Sequence, residues 1–394
     1  MRITQVTSAL FDPRGGAEHY CMALAIRQAE LGHQVTVASA LISDGVRNRL
    51  KDVGVEVKEV GAWAPYSANQ QAPNLAAKVA FHGLDLVGAV RTLDALVGPE
   101  IRQEDAVHVH RFQGLGLGAL RLREPAVVHT VHDHALVDTR ASAVRRGELV
   151  TRLPVAQRIR TRVVNHALRD VGAVVFPTRR ILDRHRAHGL RLRADQVHVI
   201  PHGWQLPAPR PRHADDDRCT FLFLGRLTTE KGLPLLLDAW GDGVDGARLV
   251  IGGTGAGEHR CQELHRRGIV DFRGWLAGAA KADVFAEADV LVMPSTLAEN
   301  FPLVDAEALL AGIPVLSSEI SAPEFLQDGV NSVIVPAEVG ALRGAMVKLA
   351  RDKGFRVQLM KGATSSAGDL DFDRHVERLL TLYTAVRDGV REAL

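Results

Sequence analysis

Short β-rich runs alternate with helical apolar patterns along almost the whole chain. This alternation restricts it to parallel strands joined by crossover helices. The opening strand is read at Ile3 to Leu10. After the loop Phe11-Asp12-Pro13-Arg14-Gly15-Gly16, the residues Ala17, Tyr20, Cys21, Leu24, Ala25 and Leu31 recur at helical spacing up to Gly32, which is read as a C-cap. Gln34 to Ala40 is the second strand, and further strands are expected at Val55 to Val60, Ala106 to His110, Val127 to His132, Ala173 to Pro177 and Val197 to Pro201. Together they predict one Rossmann-like sheet.

Pro207-Ala208-Pro209-Arg210-Pro211 followed by Asp215-Asp216-Asp217 has no periodicity and reads as a linker. A second train of strands follows, at Thr220 to Leu224, Arg248 to Ile251, Val270 to Phe272, Val290 to Met293, Val315 to Ser317 and Ser332 to Val335, again with helical patterns between them. A chain of 394 residues exceeds what one hydrophobic core normally supports. The fold class is therefore α/β with two Rossmann-like, doubly wound domains, divided as residues 1–203 and 204–372. In such sheets ligands bind beyond the carboxyl ends of the strands.

Composition excludes several classes. Hydrophobic residues make up 46% and charged residues 24%, as in ordinary globular proteins. No apolar run reaches the roughly 18 residues of a membrane span, and Met1 to Val6 reads as a strand rather than a signal peptide. A cytoplasmic location is expected. Cys21, Cys219 and Cys261 are far apart with no CxxC pair, so free buried thiols are expected. The net charge of +2 conceals a basic stretch: residues 140–193 hold fourteen arginines against Glu148, Asp170 and Asp183. Such a face can meet anionic lipid headgroups or a phosphorylated acceptor, or can simply be solvated. No nucleic-acid partner is implied.

Three segments at strand ends carry the chemistry. Glu299-Asn300-Phe301-Pro302-Leu303-Val304-Asp305-Ala306-Glu307 follows a buried-looking strand. Pro302 suits the first helical position, which places Glu299 in the loop and Glu307 about one turn into the helix. The two carboxylates can then accept from sugar hydroxyls, while the amides of Phe301, Leu303 and Val304 can meet a phosphate. The bland alternatives are a cap for Glu299 and a solvated surface position for Glu307. In Gly225-Arg226-Leu227-Thr228-Thr229-Glu230-Lys231-Gly232, two cations five positions apart can neutralise a diphosphate, or can be ordinary surface charges. Gly15-Gly16 before the first helix admits a ligand close to the backbone, or makes a tight turn.

In this order and separation the segments resemble retaining glycosyltransferases of family four, which adopt the GT-B fold. The resemblance covers nearly the whole chain and includes Phe272-Arg273-Gly274 and Ala311-Gly312-Ile313-Pro314-Val315. It implies two domains facing across a cleft, the first for an acceptor and the second for a nucleotide-sugar, with a final helix at about Asp373 to Leu394 crossing back to the first domain. It implies that Arg226 and Lys231 bind the donor diphosphate, that Glu299 contacts the donor sugar and Glu307 the ribose, that Gly274 belongs to the donor site, and that the Gly15-Gly16 loop closes over the phosphates. His132, in Val128-His129-Thr130-Val131-His132-Asp133-His134, resembles the family histidine that touches the donor sugar, with His134 a rival. His110 and Arg111 are assigned to the acceptor side. The implied reaction is a front-face displacement in which the departing phosphate takes the acceptor's proton.

No cofactor or metal is expected. Asp215-Asp216-Asp217 and Asp371-Phe372-Asp373 match an Asp-x-Asp pattern, but neither stands at a strand end. Gly252-Gly253-Thr254-Gly255-Ala256-Gly257 and Gly114-Leu115-Gly116-Leu117-Gly118 lack the spacing of a dinucleotide fingerprint, which makes a nicotinamide oxidoreductase a distant rival. Nearer rivals are a sugar-nucleotide epimerase, an enzyme coupling an activated cyclitol, and a catalytically silent binding protein. Lipid, polysaccharide and antibiotic aglycone acceptors all stay open.

Overall fold

The computed structural model of the protein describes residues 1–11, 16–60, 83, 93–122, 127–138, 144–145, 148–149, 154–204 and 218–389. Gly15, the Pro207–Asp217 stretch read as a linker and part of the arginine-rich segment lie outside the described residues. The chain divides into two compact units. One comprises Met1–Ala143, Val150–Ile200 and Val376–Leu394, and the other Val144–Leu149 and Pro201–His375.

The first unit runs β1 (Arg2–Leu10), α1 (Gly16–Glu30), β2 (Gln34–Ile42), α2 (Asp44–Asp52), β3 (Glu56–Glu59), α3 (Leu93–Val97), β4 (Ala106–Val109) and β5 (Val127–Thr130). A short antiparallel ribbon, β6 (Val144–Arg145) and β7 (Glu148–Leu149), is grouped with the second unit. The first unit continues with α4 (Val155–Ala167), β8 (Ala173–Phe176), α5 (Arg179–Ala187) and β9 (Val197–Val199). Its seven strands pair in the order β3-β2-β1-β4-β5-β8-β9, and each pair is parallel. β1 is buried from Ile3 to Leu10, as a central strand with both faces covered must be. The strand order reverses between β1 and β4, so the loops leaving their carboxyl ends mark the place where a ligand belongs.

The second unit contains β10 (Cys219–Leu224), α6 (Leu233–Trp240), β11 (Ala247–Gly252), α7 (Glu258–Arg266), β12 (Asp271–Phe272), α8 (Gly278–Glu287), β13 (Val290–Met293), α9 (Leu303–Leu310), β14 (Val315–Ser318), β15 (Ser332–Val335), α10 (Val339–Arg351) and α11 (Lys353–Ser366). Its sheet repeats the topology, β12-β11-β10-β13-β14-β15, with the reversal at β10 and β13. Alternation along β10 fills both faces. Phe221 and Phe223 join Leu233, Leu236, Trp240, Leu342 and Met346, while Leu222 and Leu224 join Val284, Phe285, Ala306 and Leu309.

The final helix, α12 (Phe372–Arg387), begins among residues of the second unit and passes to the first at Val376. Residues 390–394, which were expected to extend it, lie outside the described residues. α1 ends at Glu30, which leaves Leu31 47% exposed although it fits the apolar period. Gly32 at φ +85° makes the turn by donating to the Ala29 carbonyl.

The core of the first unit contains His110, His129, His134 and His185, each no more than 2% exposed. His134 and His185 stack with ring centroids 5.0 Å apart. Burial is the main cause that pushes all four down, His110 to about 3, His134 to about 2, and His129 and His185 to about 4. The unfolded chain binds these protons near pH ~6.5 and the folded chain does not. Stability is therefore complete above about pH 6.5 and is lost as pH falls toward 4, at up to about 1.4 kcal/mol per pH unit for each histidine. Denaturant titrations at pH 7, 6 and 5 should show a smaller pH slope for His134→Phe than for wild type, and equal slopes would mean that His134 is charged in the fold.

Candidate active site

In the second unit β10 leads into the loop Gly225 to Gly232, and neighbouring strand ends fix its path. On one side Gly225 N–H donates to the Gly252 carbonyl (3.1 Å), Leu227 N–H to Thr254 (2.9 Å), and Gly257 N–H to Leu227 (2.8 Å). A Cβ on Gly253, at φ +140°, would lie 1.8 Å from the Gly225 oxygen. The glycine run after β11 is thus a bed for the loop carrying Arg226. On the other side Thr296 N–H donates to the Glu230 carbonyl (3.0 Å) and its hydroxyl to Thr229 (3.1 Å). A Cβ on Gly232, at φ +75°, would lie 1.9 Å from the Pro294 oxygen.

Arg226 is exposed on this loop. Lys231 turns inward, with Nζ 2.6 Å from Glu299 Oε1, and Ser295 Oγ donates to the same oxygen at 2.9 Å. The pair is largely shielded, at 19% and 17% side-chain exposure, so its attraction is weakly screened. Glu299 lies in the loop before α9, as the sequence implies. Pro302 does not take the first helical position; with ψ 103° it is extended and acts as the N-cap residue, and its carbonyl accepts from Asp305 N–H at 3.0 Å. Leu303 and Val304 open α9, where amides lack acceptors within the helix. The Phe301 ring packs against His202 and Phe325, each with centroids 5.0 Å away, which leaves its main chain as the part that can serve a ligand.

Glu307 is not a solvated residue. It is 3% exposed, Lys281 Nζ lies 2.5 Å from Oε1, and Oε2 is buried without a hydrogen-bond partner. Glu299 and Glu307 thus belong to two separate ion pairs. Gly274, at φ +65°, accepts from Gly253 N–H at 2.7 Å and so braces the glycine bed. The sequence reading missed Ser295, Lys281 and Asp305. Asp305 is fully buried in the first turn of α9, and neither carboxylate oxygen has a hydrogen-bond partner. Its acidic character inside an otherwise apolar helix face was the one available signal.

In the first unit the strand ends of β1, β4 and β5 adjoin. Gly16 opens α1, and Glu18 in its first turn pairs with Arg111 at 2.6 Å. Arg111, assigned to the acceptor side, therefore ties α1 to the loop after β4. His132 is half-buried two residues beyond β5, in a recess also lined by Arg111, Gln113 and Asp133. Tyr20 of α1 meets its ring edge-on, with centroids 5.1 Å apart. His110 also lines this recess, although it is 2% exposed and its ring nitrogens lie at His132 and Gln5. His134 is 1% exposed and stacks on His185, with its ring directed into the core. Among the described residues no three His, Cys, Asp or Glu side chains converge so as to hold a metal ion.

Asp305 provides a direct test of the second unit's electrostatics. Burial first, and then Glu299, push its carboxyl well above the usual range, so the folded chain retains a proton that the unfolded chain has released above about pH 3.9. Stability is lost on this account as pH rises from about 4 through the folded value. Asp305→Leu should raise the unfolding free energy at pH 7 by about 1–3 kcal/mol, with a gain that grows with pH. Calorimetric melts from pH 5 to 8 check it, and a destabilised variant would show that the carboxyl has a donor in the folded protein.

Residues 14–206 match the family model described as Glycosyltransferase Family 4, and residues 218–352 match that described as Glycosyl transferases group 1. The phosphatidyl-myo-inositol mannosyltransferase of Mycobacterium leprae is 27% identical over 98% of this chain and 97% of its own. The D-inositol 3-phosphate glycosyltransferase of Geodermatophilus obscurus is 28% identical over 96% of this chain and 86% of its own. Among solved structures, sucrose-phosphate synthase from Thermosynechococcus elongatus superimposes with a TM-score of 0.73 at 17% identity, covering 99% of this chain and 100% of that one. HepE of Anabaena in complex with UDP gives 0.69 at 16% identity, covering 98% and 100%. With two parallel-sheet α/β units of GT-B type and family matches along both, the chain belongs to the family-four glycosyltransferases.

Proposed function

We infer that the protein transfers a sugar from a nucleotide-diphosphate donor to an acceptor hydroxyl with retention of anomeric configuration and without a metal ion. The observation that carries this reading is the Lys231–Glu299 pair at the loop that also bears Arg226. A lysine held 2.6 Å from a carboxylate is an anion site already filled by an internal anion. A diphosphate arriving beside Arg226 takes the lysine, and Glu299 is released to accept from sugar hydroxyls. The buried Oε2 of Glu307 supplies a second acceptor, suited to a ribose hydroxyl. Amides at the start of α9 add partial positive charge.

In the transfer, the bond from the anomeric carbon to the phosphate oxygen breaks, and the bond to the acceptor oxygen forms on the same face. The acceptor proton passes to the departing phosphate. Charge builds on that phosphate, so Arg226 and Lys231 act where the transition state differs most from the ground state. His132 is assigned to the donor sugar, and Gly15 and Gly16 to closure over the phosphates. UDP in the solved HepE complex supports a nucleotide ligand for this fold. Free, buried Cys21, Cys219 and Cys261 accord with a reducing, cytoplasmic setting.

Alanine at Lys231 or Arg226 should lower turnover at least ~100-fold; the melting temperature of the free enzyme should stay near wild type for Arg226→Ala and fall for Lys231→Ala, which leaves Glu299 unpaired. A thermal-shift panel of UDP, GDP, ADP and their sugars should identify the donor, since a ligand at about 100 times its Kd stabilises by ~2.7 kcal/mol. Activity should survive EDTA, and NMR of the product should show the donor's anomeric configuration. Wild-type turnover in the double alanine variant would refute the phosphate site.

We further assign the acceptor to an anionic membrane surface, as the mycobacterial relative's lipid-related name invites. The support is a face of α4 on which Val155 is 68% and Ile159 53% exposed, with Arg158 and Arg162 exposed on the same stripe. Among the described residues no helix is long and apolar enough to cross a membrane, so contact would be peripheral. Sedimentation with vesicles containing anionic lipid should show binding that weakens at least about tenfold in an Arg158→Glu, Arg162→Glu variant, at roughly 1 kcal/mol per basic residue. Equal binding to purely zwitterionic vesicles would overturn the assignment.

A further inference from the structure

Beneath His132, polar side chains form a continuous line through the core of the first unit. His110 Nδ1 lies 3.2 Å from His132 Nε2, and His110 Nε2 lies 2.6 Å from Gln5 Oε1. Gln5 Nε2 donates to Gln28 Oε1 at 2.7 Å, and Gln28 Nε2 lies 3.5 Å from the Tyr383 hydroxyl on α12. That hydroxyl is 2.6 Å from His108 Nδ1, whose ring reaches Thr130 Oγ1 through Nε2 at 2.7 Å. Every member below His132 is at most 2% exposed.

Such a line has a direction. A neutral imidazole offers one N–H and one lone pair. Burial keeps His110 neutral, so with Gln5 Oε1 accepting at Nε2, His110 Nδ1 accepts from His132, and the hydrogen of that contact sits on His132 Nε2. The same sense holds to the far end, where Gln28 donates to Tyr383, Tyr383 to His108 Nδ1, and His108 Nε2–H to Thr130. Reversing His110 turns the Gln5 oxygen toward Gln28 Oε1. Gln28 must then turn over as well, Tyr383 must donate to it, and His108 must exchange its hydrogen. One ring therefore cannot change tautomer without its neighbours, and a buried network with one member reversed would leave unmatched groups.

We propose that Gln5, Gln28 and Tyr383 are positioning residues that hold His132 as its Nε2–H tautomer, so that the ring meets a sugar hydroxyl as an acceptor through Nδ1. The second clause rests on the assignment of His132 to the donor sugar. The arrangement makes the final helix part of the active site, since Tyr383 closes the line.

The test is long-range proton–nitrogen correlation NMR on protein labelled with nitrogen-15 in its histidines, with His132 signals identified by their loss in His132→Gln. Wild type should show His132 with Nε2 protonated and Nδ1 bare. Gln5→Leu should mix the tautomers of His110 and His132 and lower kcat about tenfold with KM little changed. Gln5→Glu keeps an oxygen acceptor for His110 and should retain both the tautomer and most of kcat, whereas a merely structural role would make the two variants alike. Tyr383→Phe, which removes one hydroxyl from the far end, should mix the tautomers less than Gln5→Leu, and thermal melts confirm folding of each. A wild-type His132 protonated on Nδ1, or a tautomer unmoved in Gln5→Leu, would overturn the proposal. A tautomer mixed as expected with kcat unchanged in both Gln5→Leu and His132→Gln would instead support the positioning and refute the sugar contact.

Discussion

The close approach of backbone to backbone at the strand ends of the second unit is the constraint on which its site depends. Three consecutive loops, after β10, β11 and β12, are laced by main-chain hydrogen bonds through Gly225, Gly253 and Gly274. Gly232 lies against Pro294 at the end of β13, where no side chain fits. A Cβ 1.8 or 1.9 Å from a carbonyl oxygen is not a contact that rotamers can relieve, because neither partner has a torsion to spare. The loop bearing Arg226 and Lys231 is thereby held by neighbouring backbone rather than by its own side chains. That leaves both cations available to an anion.

This constraint explains why the Lys231–Glu299 pair can be functional rather than merely stabilising. An ion pair this shielded gives little net stability, since desolvation offsets attraction. It does give a lysine with a fixed position and a partner that a stronger anion can replace. Ser295 holds Glu299 in place at 2.9 Å, so exchange moves the lysine more than the carboxylate. Asp305 below them would destroy this balance if ionised, by adding a second negative charge near Lys231. Its burial, and then the neighbouring Glu299, disfavour that ionisation.

Much of this was legible in the sequence, and the unread parts have physical causes. The strands were found within a residue or two because parallel strands covered on both faces are continuous apolar runs. Glu299, Glu307 and Lys231 were found because they follow such strands. What periodicity does not record is rotation about a strand end. His110, His132 and His134 all stand at or just after predicted strands, yet only His110 and His132 border the recess, His110 almost wholly buried beneath His132, while the His134 ring points into the core. The glycine run after β11 was discounted as a dinucleotide loop on its spacing, but its packing duty could not be read, because close approach is a property of two segments. Lys281 and Tyr383 were invisible for the same reason. Their partners are 26 and 275 residues away in sequence, at Glu307 and His108.

The two units meet one requirement by opposite means. Each holds unpaired ionisable groups out of water near its strand ends, and burial disfavours their charged forms: it pushes the histidines down in the first and the Asp305 carboxyl up in the second. Acidification charges the first set and leaves the second neutral, while alkali acts the other way. Both buried sets are neutral together only in an interval above the histidine values and below that of Asp305. The charges left to act on a ligand in the second unit are then Arg226 and the two ion pairs, Lys231–Glu299 and Lys281–Glu307. A field built from few charges over neutral interiors changes least when a diphosphate enters, because no buried group must change its protonation to receive it.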